Sequence, residues 1–138
     1  WSVESHVKQV YAMVDNLGTP VDINSAINIR FENGVVATLV ITGNCPSESA
    51  RLTFFFTGGR IDIDGWYGGW IEVHNAYGRV KYPKVKTELR GQSGLENFID
   101  AVLGRDAPRT TAKHGVIQSE LMDLVYESAK TGLPVTRA

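Results

Sequence analysis

The sequence has few of the residues that would tie it to a particular partner or compartment. It contains one cysteine, Cys45, in 138 residues, so an intrachain disulfide is impossible. No apolar run approaches the roughly 18 residues that a membrane span needs, and no signal-peptide pattern opens the chain. Lys and Arg number 14 against 15 for Asp and Glu, which leaves no basic field to attract nucleic acid or an anionic membrane. We therefore expect a cytoplasmic protein that binds neither.

Motifs for cofactors and metals are also missing. Neither G-x-G-x-x-G nor G-x-x-x-x-G-K occurs, so the chain has no recognisable nucleotide-binding loop. The histidines His6, His74 and His114 are far apart, and none has a metal-ligand partner at i+2 or i+4. We expect no cofactor site, no metal site and no catalytic residue in this chain.

Length and the first residue bear on domain organisation. A chain of 138 residues is in the usual range of one domain, which we expect to span residues 1–138. The chain begins with Trp1 and the following residues carry no start-of-domain signature. We expect it to be part of a longer polypeptide.

Alternating apolar and polar residues predict a series of β-strands. The clearest case is 21–31, which is followed by the turn Glu32-Asn33-Gly34 and a partner strand over 35–42. The same reasoning predicts strands over 7–14, 51–57, 60–64, 70–74 and 79–85, with a brief terminal strand at 135–136. Because short turns join them, most of these strands must be antiparallel to their neighbours.

Helical spacing appears only in the last third of the chain. Ser93-Gly-Leu-Glu96 has the spacing of a capping box before an amphipathic segment that ends at Gly104. A second helix, over 114–131, has an apolar stripe that includes Ser128, and Gly132 is a typical C-terminal cap. The predicted fold class is α+β: an open-faced, mostly antiparallel sheet of about six strands, with two amphipathic helices on one face.

The second face of that sheet is predicted to be partly apolar. Two helices cannot cover both faces, so we expect the open face to be buried against another copy or another domain. An amphiphilic face that stays exposed is the alternative. The residues out of phase with the main apolar pattern are Val36, Val40, Phe55, Trp70 and Tyr82.

Several residues could in principle act in catalysis, but a structural role is the simpler interpretation of each. His74 beside Glu72 at i+2 could be a base with its orienting carboxylate, although a solvated pair is the simpler interpretation. Asp62 and Asp64 share a sheet face, where solvated charges are expected, and Cys45 is expected to be an inert loop thiol. His114, in the first turn of its helix, is expected to pack or cap rather than to act in catalysis.

The aromatic cluster Trp66, Tyr67 and Trp70 is flanked by glycines. Flat aromatic side chains in such a setting stack on a sugar ring or become buried in an interface. We favour an interface, to which Phe55 would also contribute.

Four segments stand out for their order and spacing. They are Phe31-Glu-Asn-Gly34-Val-Val-Ala37, Phe56-Thr-Gly-Gly-Arg-Ile-Asp-Ile-Asp64, Phe98-Ile-Asp-Ala-Val-Leu-Gly104 and Tyr126-Glu-Ser-Ala-Lys-Thr-Gly132-Leu-Pro-Val135. Together they resemble the C-terminal domain of the Gfo/Idh/MocA family of NAD(P)-dependent sugar and polyol dehydrogenases, over a stretch from about Val7 to Val135. The closing segment is the most telling.

The resemblance implies a fold like the C-terminal domain of glyceraldehyde-3-phosphate dehydrogenase, preceded in the whole enzyme by a Rossmann domain that holds NAD or NADP. It implies that this domain walls the substrate site and forms a homo-oligomer through its open face. The family's catalytic Asp-x-x-x-His has no counterpart here, because Ser2 stands four residues before His6. Substrate contacts are expected from the loop 44–50, through Asn44, Ser47, Glu48 and Ser49.

Two other functions remain open from the residues alone. The chain could be a free-standing, non-enzymatic module that binds a carbohydrate or another partner through the cluster from Trp66 to Trp70. It could also be a small hydrolase that uses His74 with Glu72. The dehydrogenase domain is the hypothesis that we favour.

Overall fold

The computed structural model describes residues 3, 5–47, 49–65, 69–82 and 93–137. The chain separates into two compact units, one formed by Trp1–Asn44 with Leu95–Ala138 and the other by Cys45–Gly94. Its strands are β1 (Val7–Asp15), β2 (Asn24–Phe31), β3 (Val36–Thr42), β4 (Arg51–Phe56), β5 (Gly59–Asp64), β6 (Ile71–Asn75), β7 (Gly78–Tyr82) and β8 (Val135–Thr136). Its helices are α1 (Gly94–Val102) and α2 (Ala112–Thr131).

The first unit contains an antiparallel sheet in the order β3-β2-β1-β8. The predicted hairpin between β2 and β3 is confirmed. Phe31 N–H donates to Val35 O at 2.9 Å, and Gly34 N–H donates to Phe31 O at 3.1 Å. Gly34 has a φ of 88°, a conformation that glycine adopts without steric cost. The predicted terminal strand at 135–136 is confirmed as β8, and it pairs with Gln9 and Val10 of β1.

Helix α2 packs on β1 and β8 and covers one face of this sheet. Val125 projects from the helix into the core and is 2% exposed. Burying a valine of this kind stabilises the fold by about 1.5–3 kcal/mol. The predicted stripe on α2 is confirmed, with Leu121 and Leu124 packed against the same cluster. The buried core residues of the unit are Val7, Val10, Ala12, Ile27, Ile29 and Val125.

The ends of α2 follow local rules. The helix begins at Ala112, two residues before the predicted start, because Thr111 acts as its N-cap. His114 N–H donates to Thr111 O at 3.0 Å, and Thr111 N–H donates to His114 Nδ1 at 3.0 Å. His114 is therefore a capping residue, as expected. The helix ends at Thr131, and Gly132 has the left-handed conformation predicted for it.

The first helix does not cover a sheet face as predicted. Its polar residue Asn97 is buried, and two hydrogen bonds compensate for the loss of water around its side-chain amide. The amide donates to Ala107 O at 3.1 Å and accepts from Arg109 N–H at 2.9 Å. Within the described part of the first unit, α1 makes no packing contact with the sheet comparable to that of α2 with β1. The helix is held by hydrogen bonds to the loop after it. Its exposed apolar residues are Leu95, Phe98, Ile99 and Val102.

The second unit is an antiparallel sheet in the order β4-β5-β6-β7. Its two faces differ sharply, because successive side chains of each strand point to opposite faces and the register places residues of the same kind side by side. Asp62 pairs with Thr53 on one side and Glu72 on the other, and Arg60 pairs with His74. These residues share one face, which we call the charged face. The opposite, apolar face carries Leu52, Phe54, Phe56, Ile61, Ile63, Ile71, Val73 and Val80.

The prediction of a single sheet of about six strands is wrong, whereas the α+β class is confirmed. The described residues form eight strands in two four-stranded sheets. Alternation identifies each strand and each hairpin from neighbouring residues. It carries no information on whether β3 and β4, which a polar loop joins, become neighbours in one sheet.

Exposed apolar side chains on the predicted open face are confirmed for three residues. Val36 and Val40 lie on the side of their sheet away from α2, and Val40 is 78% exposed. Phe55 is equally exposed on the charged face. No described helix is long and apolar enough to cross a membrane.

Candidate functional site

The charged face of β4–β7 brings together residues that the sequence analysis treated separately. Asp62 and Glu72 are direct cross-strand partners, and His74 follows Glu72 on the same side of β6. One oxygen of each carboxylate and one ring nitrogen of His74 lie within 4.8 Å of one another. The side chains of Asp62 and Glu72 are only 3% and 8% exposed. The expectation of solvated carboxylates is therefore wrong for both, because their cross-strand neighbours cover them.

Asp62 has four close neighbours, and one of them, His74, has its Nε2 3.5 Å from Asp62 Oδ2. Thr53 Oγ1 donates to Asp62 Oδ1 at 2.7 Å, and Arg60 Nε donates to Oδ2 at 2.9 Å. Arg51 adds a longer ion pair at 3.8 Å. The Thr53 hydrogen bond, with Arg60 and Arg51, holds the pKa of Asp62 below its usual 3.8, although burial opposes this. The carboxylate stays ionised throughout the neutral range.

Glu72 has a similar environment. Arg79 Nη2 donates to Glu72 Oε2 at 2.7 Å, and His74 Nε2 lies 2.5 Å from Oε1. These two contacts lower the pKa of Glu72 below its usual 4.5, again against the effect of burial. Removing either Arg79 or His74 would leave one oxygen of the buried Glu72 carboxylate without its hydrogen bond.

His74 can satisfy only one of its two short contacts. Its Nε2 lies 2.5 Å from Glu72 Oε1 and 3.1 Å from Arg60 Nη2. A hydrogen on Nε2 is needed to donate to Glu72, whereas only an unprotonated Nε2 could accept from Arg60. The shorter contact to a carboxylate favours the hydrogen on Nε2.

The network suits a structural role better than catalysis or metal binding. Asp62 and Glu72 each accept hydrogen bonds on both oxygens, so a metal ion would compete with Arg60 and Arg79 for these carboxylates. Glu72 orients His74, as a base would require, but Arg79 binds the same carboxylate and lowers its pKa. Hydrogen bonds and ion pairs of this kind hold β4, β5, β6 and β7 in register.

Trp70 lies at the edge of the same face. Lys81 Nζ is 4.4 Å from the centre of the indole ring, and Arg51 Cζ is 5.7 Å from it. Cation–π contacts of this kind compete with the stacking of a sugar on the ring. This weakens the carbohydrate-module hypothesis at Trp70, and Trp66 and Tyr67 lie outside the described residues.

The residues predicted to bind substrate lie on the loop between β3 and β4. Asn44 accepts a hydrogen bond from Thr42 Oγ1 at 2.9 Å, and Ser47 and Ser49 are exposed. Glu48 lies outside the described residues. Cys45 is an exposed free thiol of the same loop. No contact among the described residues brings these side chains together with the charged face.

A cleft that the sequence analysis missed lies between the β1–β2 loop and α2. The cleft has a volume of about 440 Å³. It is lined by Tyr126 and Lys130 of the helix and by Val21 and Asp22 of the loop. Tyr126 Oη donates to Asp22 Oδ1 at 2.9 Å, which raises the pKa of Tyr126 above 10.0. In the sequence, the four-residue spacing of Met122 and Tyr126 places them on a second, weaker apolar strip of α2, which indicates that something packs there. We call this the β1–α2 cleft.

Comparison with known proteins shows the fold but no family. No protein-family model matches the sequence. No curated protein matches it either. Several solved structures do. They include a Thermotoga maritima protein provisionally described as an oxidoreductase (TM-score 0.83, 21% identity) and an NAD-binding protein from Listeria innocua (0.76, 21%). A third is an aldose-aldose oxidoreductase from Caulobacter crescentus, in complex with glycerol (0.80, 15%).

These matches cover almost all of this chain and less than half of the others. They include 99%, 98% and 96% of the present sequence, but 42%, 47% and 42% of the three solved chains. This chain therefore has the fold of one part of several larger proteins that are named as oxidoreductases or as NAD-binding.

Proposed function

We propose that this chain is the substrate-side and oligomerisation domain of a cytoplasmic NAD(P)-dependent dehydrogenase that acts on a sugar, a polyol or a related hydroxy compound. The observation that carries the proposal is the coverage: nearly the whole chain matches less than half of proteins named as oxidoreductases or as NAD-binding. The resemblance to the Gfo/Idh/MocA C-terminal domain, drawn from the sequence, agrees with it. The sugar class is supported by the name of the Caulobacter enzyme.

In this proposal the chain binds substrate while a Rossmann domain supplies the cofactor. The nicotinamide would accept or donate the hydride. The loop that contains Asn44, Ser47, Glu48 and Ser49 would donate and accept hydrogen bonds to substrate hydroxyl groups and so orient the reacting carbon. A site that bonds a hydroxyl discriminates strongly against an analogue that lacks it.

Cofactor binding and the sequence upstream of Trp1 test the proposal. We expect that segment to encode G-x-G-x-x-G after a strand, with a Lys-Pro further on. In calorimetry, the 138-residue chain should give no binding heat with NADH or NADPH, whereas the chain joined to the upstream segment should bind one of them. NADH binding by the 138-residue chain alone, or an upstream segment without the glycine motif, would refute the assignment.

The proposed substrate loop has its own test in the complete enzyme. The double substitution Ser47→Ala and Ser49→Ala should raise KM for a polyol by roughly tenfold, since each lost hydrogen bond weakens binding. Ser119→Ala, an exposed serine on α2, is the matched control and should leave KM unchanged. An unchanged KM in the double variant would remove this loop from the site.

The oligomerisation part of the proposal rests on the open faces of the sheets. Val36 and Val40 extend the exposed apolar surface of the first sheet, and Phe55, Trp66, Tyr67 and Trp70 are proposed to form an interface in the second unit. Sedimentation of the chain should show a dimer or a larger species that Val40→Glu dissociates. Val35→Glu, in the β2–β3 turn, should not. A monomeric wild-type chain would contradict burial by a like copy.

A further inference from the structure

The β1–α2 cleft has an unusual distribution of charge for a surface depression. The carboxylate of Asp22 and the ammonium group of Lys130 line the same cleft without forming a salt bridge with each other. Lys130 also forms no ion pair with any other residue that the structure describes. Because Asp22 and Lys130 line the same cleft and do not bind each other, each charge is available to a ligand.

The Tyr126–Asp22 pair fixes the polar side of the cleft. Tyr126 Oη donates its proton to Asp22 Oδ1, so the phenol oxygen keeps its lone pairs and can act only as an acceptor. Oδ2 of Asp22 accepts no hydrogen bond from a described residue. The two side chains therefore present acceptors toward the cleft, and a ligand there must supply a donor.

Most of the remaining lining of the cleft is aliphatic. Val14 and Val21 provide apolar contact, and Asn16 provides an amide. A cleft of about 440 Å³ is within the range of small-molecule sites, which combine apolar walls with a few polar groups that fix orientation.

The loop that forms one wall has hydrogen bonds within itself. Thr19 Oγ1 donates to Asn16 O or to Val21 O, each at 2.8 Å, and Leu17 N–H donates to Asp15 Oδ1 at 2.9 Å. Leu17 has a φ of 49°, in the left-handed region that a branched residue adopts at a cost. A loop held in this way before the ligand arrives loses less entropy on binding.

We propose that the β1–α2 cleft binds a small carboxylate that also carries a hydroxyl or an ammonium group. The carboxylate pairs with Lys130, the donor group bonds Asp22 and Tyr126, and the carbon chain between them lies along Val14 and Val21. The inference uses only the first unit of this chain and does not depend on the proposed dehydrogenase activity.

Four probes separate the two required groups. Gluconate carries a carboxylate and hydroxyls, and 4-aminobutyrate carries a carboxylate and an ammonium group. Sorbitol lacks the carboxylate, and butyrate lacks the donor. In NMR titrations of the 138-residue chain, gluconate or 4-aminobutyrate should shift the amides of residues 14–22 and 126–130. Which of the two binds identifies the donor as hydroxyl or ammonium.

Substitutions at Lys130 test the charge directly. Lys130→Met should weaken binding of the active probe by roughly tenfold or more, because one ion pair to the ligand is lost. Lys130→Arg should retain it. Lys113→Met removes the same charge from the exposed first turn of α2 and is the matched control. Amide spectra of each variant verify that the fold is kept.

Three results would overturn the inference. The first is the absence of shifts at these residues with both active probes. The second is binding of butyrate or sorbitol as strong as that of gluconate and 4-aminobutyrate. The third is a folded Lys130→Met variant that binds as well as the wild-type chain.

Discussion

The hydroxyl of Ser128 on α2 accepts a hydrogen bond from the backbone N–H of Ala12 on β1, at 3.0 Å. The same hydroxyl donates to Leu133 O at 2.7 Å. Strand β8 pairs only with Gln9 and Val10, so Ala12 lies beyond its end. Ser128 therefore continues the hydrogen bonding of the sheet edge where the strand stops, and it also fixes the chain that leaves the helix at Gly132.

Ser128→Ala should destabilise the fold by about 1–3 kcal/mol, because it leaves the buried N–H of Ala12 and the carbonyl of Leu133 without their partner. Urea unfolding monitored by circular dichroism measures this. Ser119→Ala is the control: Ser119 is exposed on the same helix, and alanine there should be neutral or slightly stabilising. Equal effects of the two substitutions would show that the buried hydroxyl contributes nothing.

Gly59 and Gly58 form a second matched pair, at the turn between β4 and β5. A Cβ at Gly59, whose φ is 149°, would lie 2.1 Å from His74 O, whereas a Cβ at Gly58 would meet nothing within 4 Å. Gly59→Ala must therefore push β5 away from β6 and should cost about 1–3 kcal/mol. Gly58→Ala should change the urea midpoint little. If both variants unfold at the same midpoint, the close approach of β5 and β6 at this point is wrong.

The charged face predicts a loss of stability in acid. The pKa values of Asp62 and Glu72 are lower in the folded chain than their usual 3.8 and 4.5. A carboxylate with a lowered folded pKa stabilises the fold above its unfolded pKa, and this stabilisation disappears as pH falls through the folded pKa. The urea midpoint should therefore fall as pH drops through and below the ordinary carboxylate range.

Asp62→Asn tests this origin of the acid sensitivity. The variant should be less stable at neutral pH, because Arg60 loses its charged partner, and its midpoint should vary less with pH below about 4. Asp123→Asn on the exposed side of α2 controls for the change in net charge. An unchanged pH profile in Asp62→Asn would mean that other carboxylates control acid unfolding.

Local features of the fold could be predicted because neighbouring residues decide them. Alternation in β2, the Asn33-Gly34 turn and the cap at Gly132 depend on side-chain direction and backbone freedom within a few residues. The apolar stripe of α2 depends on the same information. Each of these features was present in the sequence and is present in the structure.

The candidate sites could be predicted only in part. The small size of Ser128 indicated a close approach of α2, but not that its hydroxyl would bond Ala12, 116 residues away. The spacing of Met122 and Tyr126 indicates a second contact surface on α2, whereas Asp22, the partner of Tyr126, and the cleft beside Lys130 could not be predicted. The substrate loop of Asn44, Ser47, Glu48 and Ser49 remains a prediction, as does the interface of Phe55, Trp66, Tyr67 and Trp70.

The sequence by itself determined the α+β class, the bounds of most strands and helices, and the balance of charge. These follow from periods of two and 3.6 residues and from turn chemistry, which act over a few residues. Only the tertiary structure decided that the strands form two sheets, that α1 leaves its apolar residues exposed, and that Asp62 and Glu72 are buried. These features depend on the register between strands and on the packing of elements that are far apart in sequence. Burial and ion pairing follow from which segments of the chain lie next to each other in the fold.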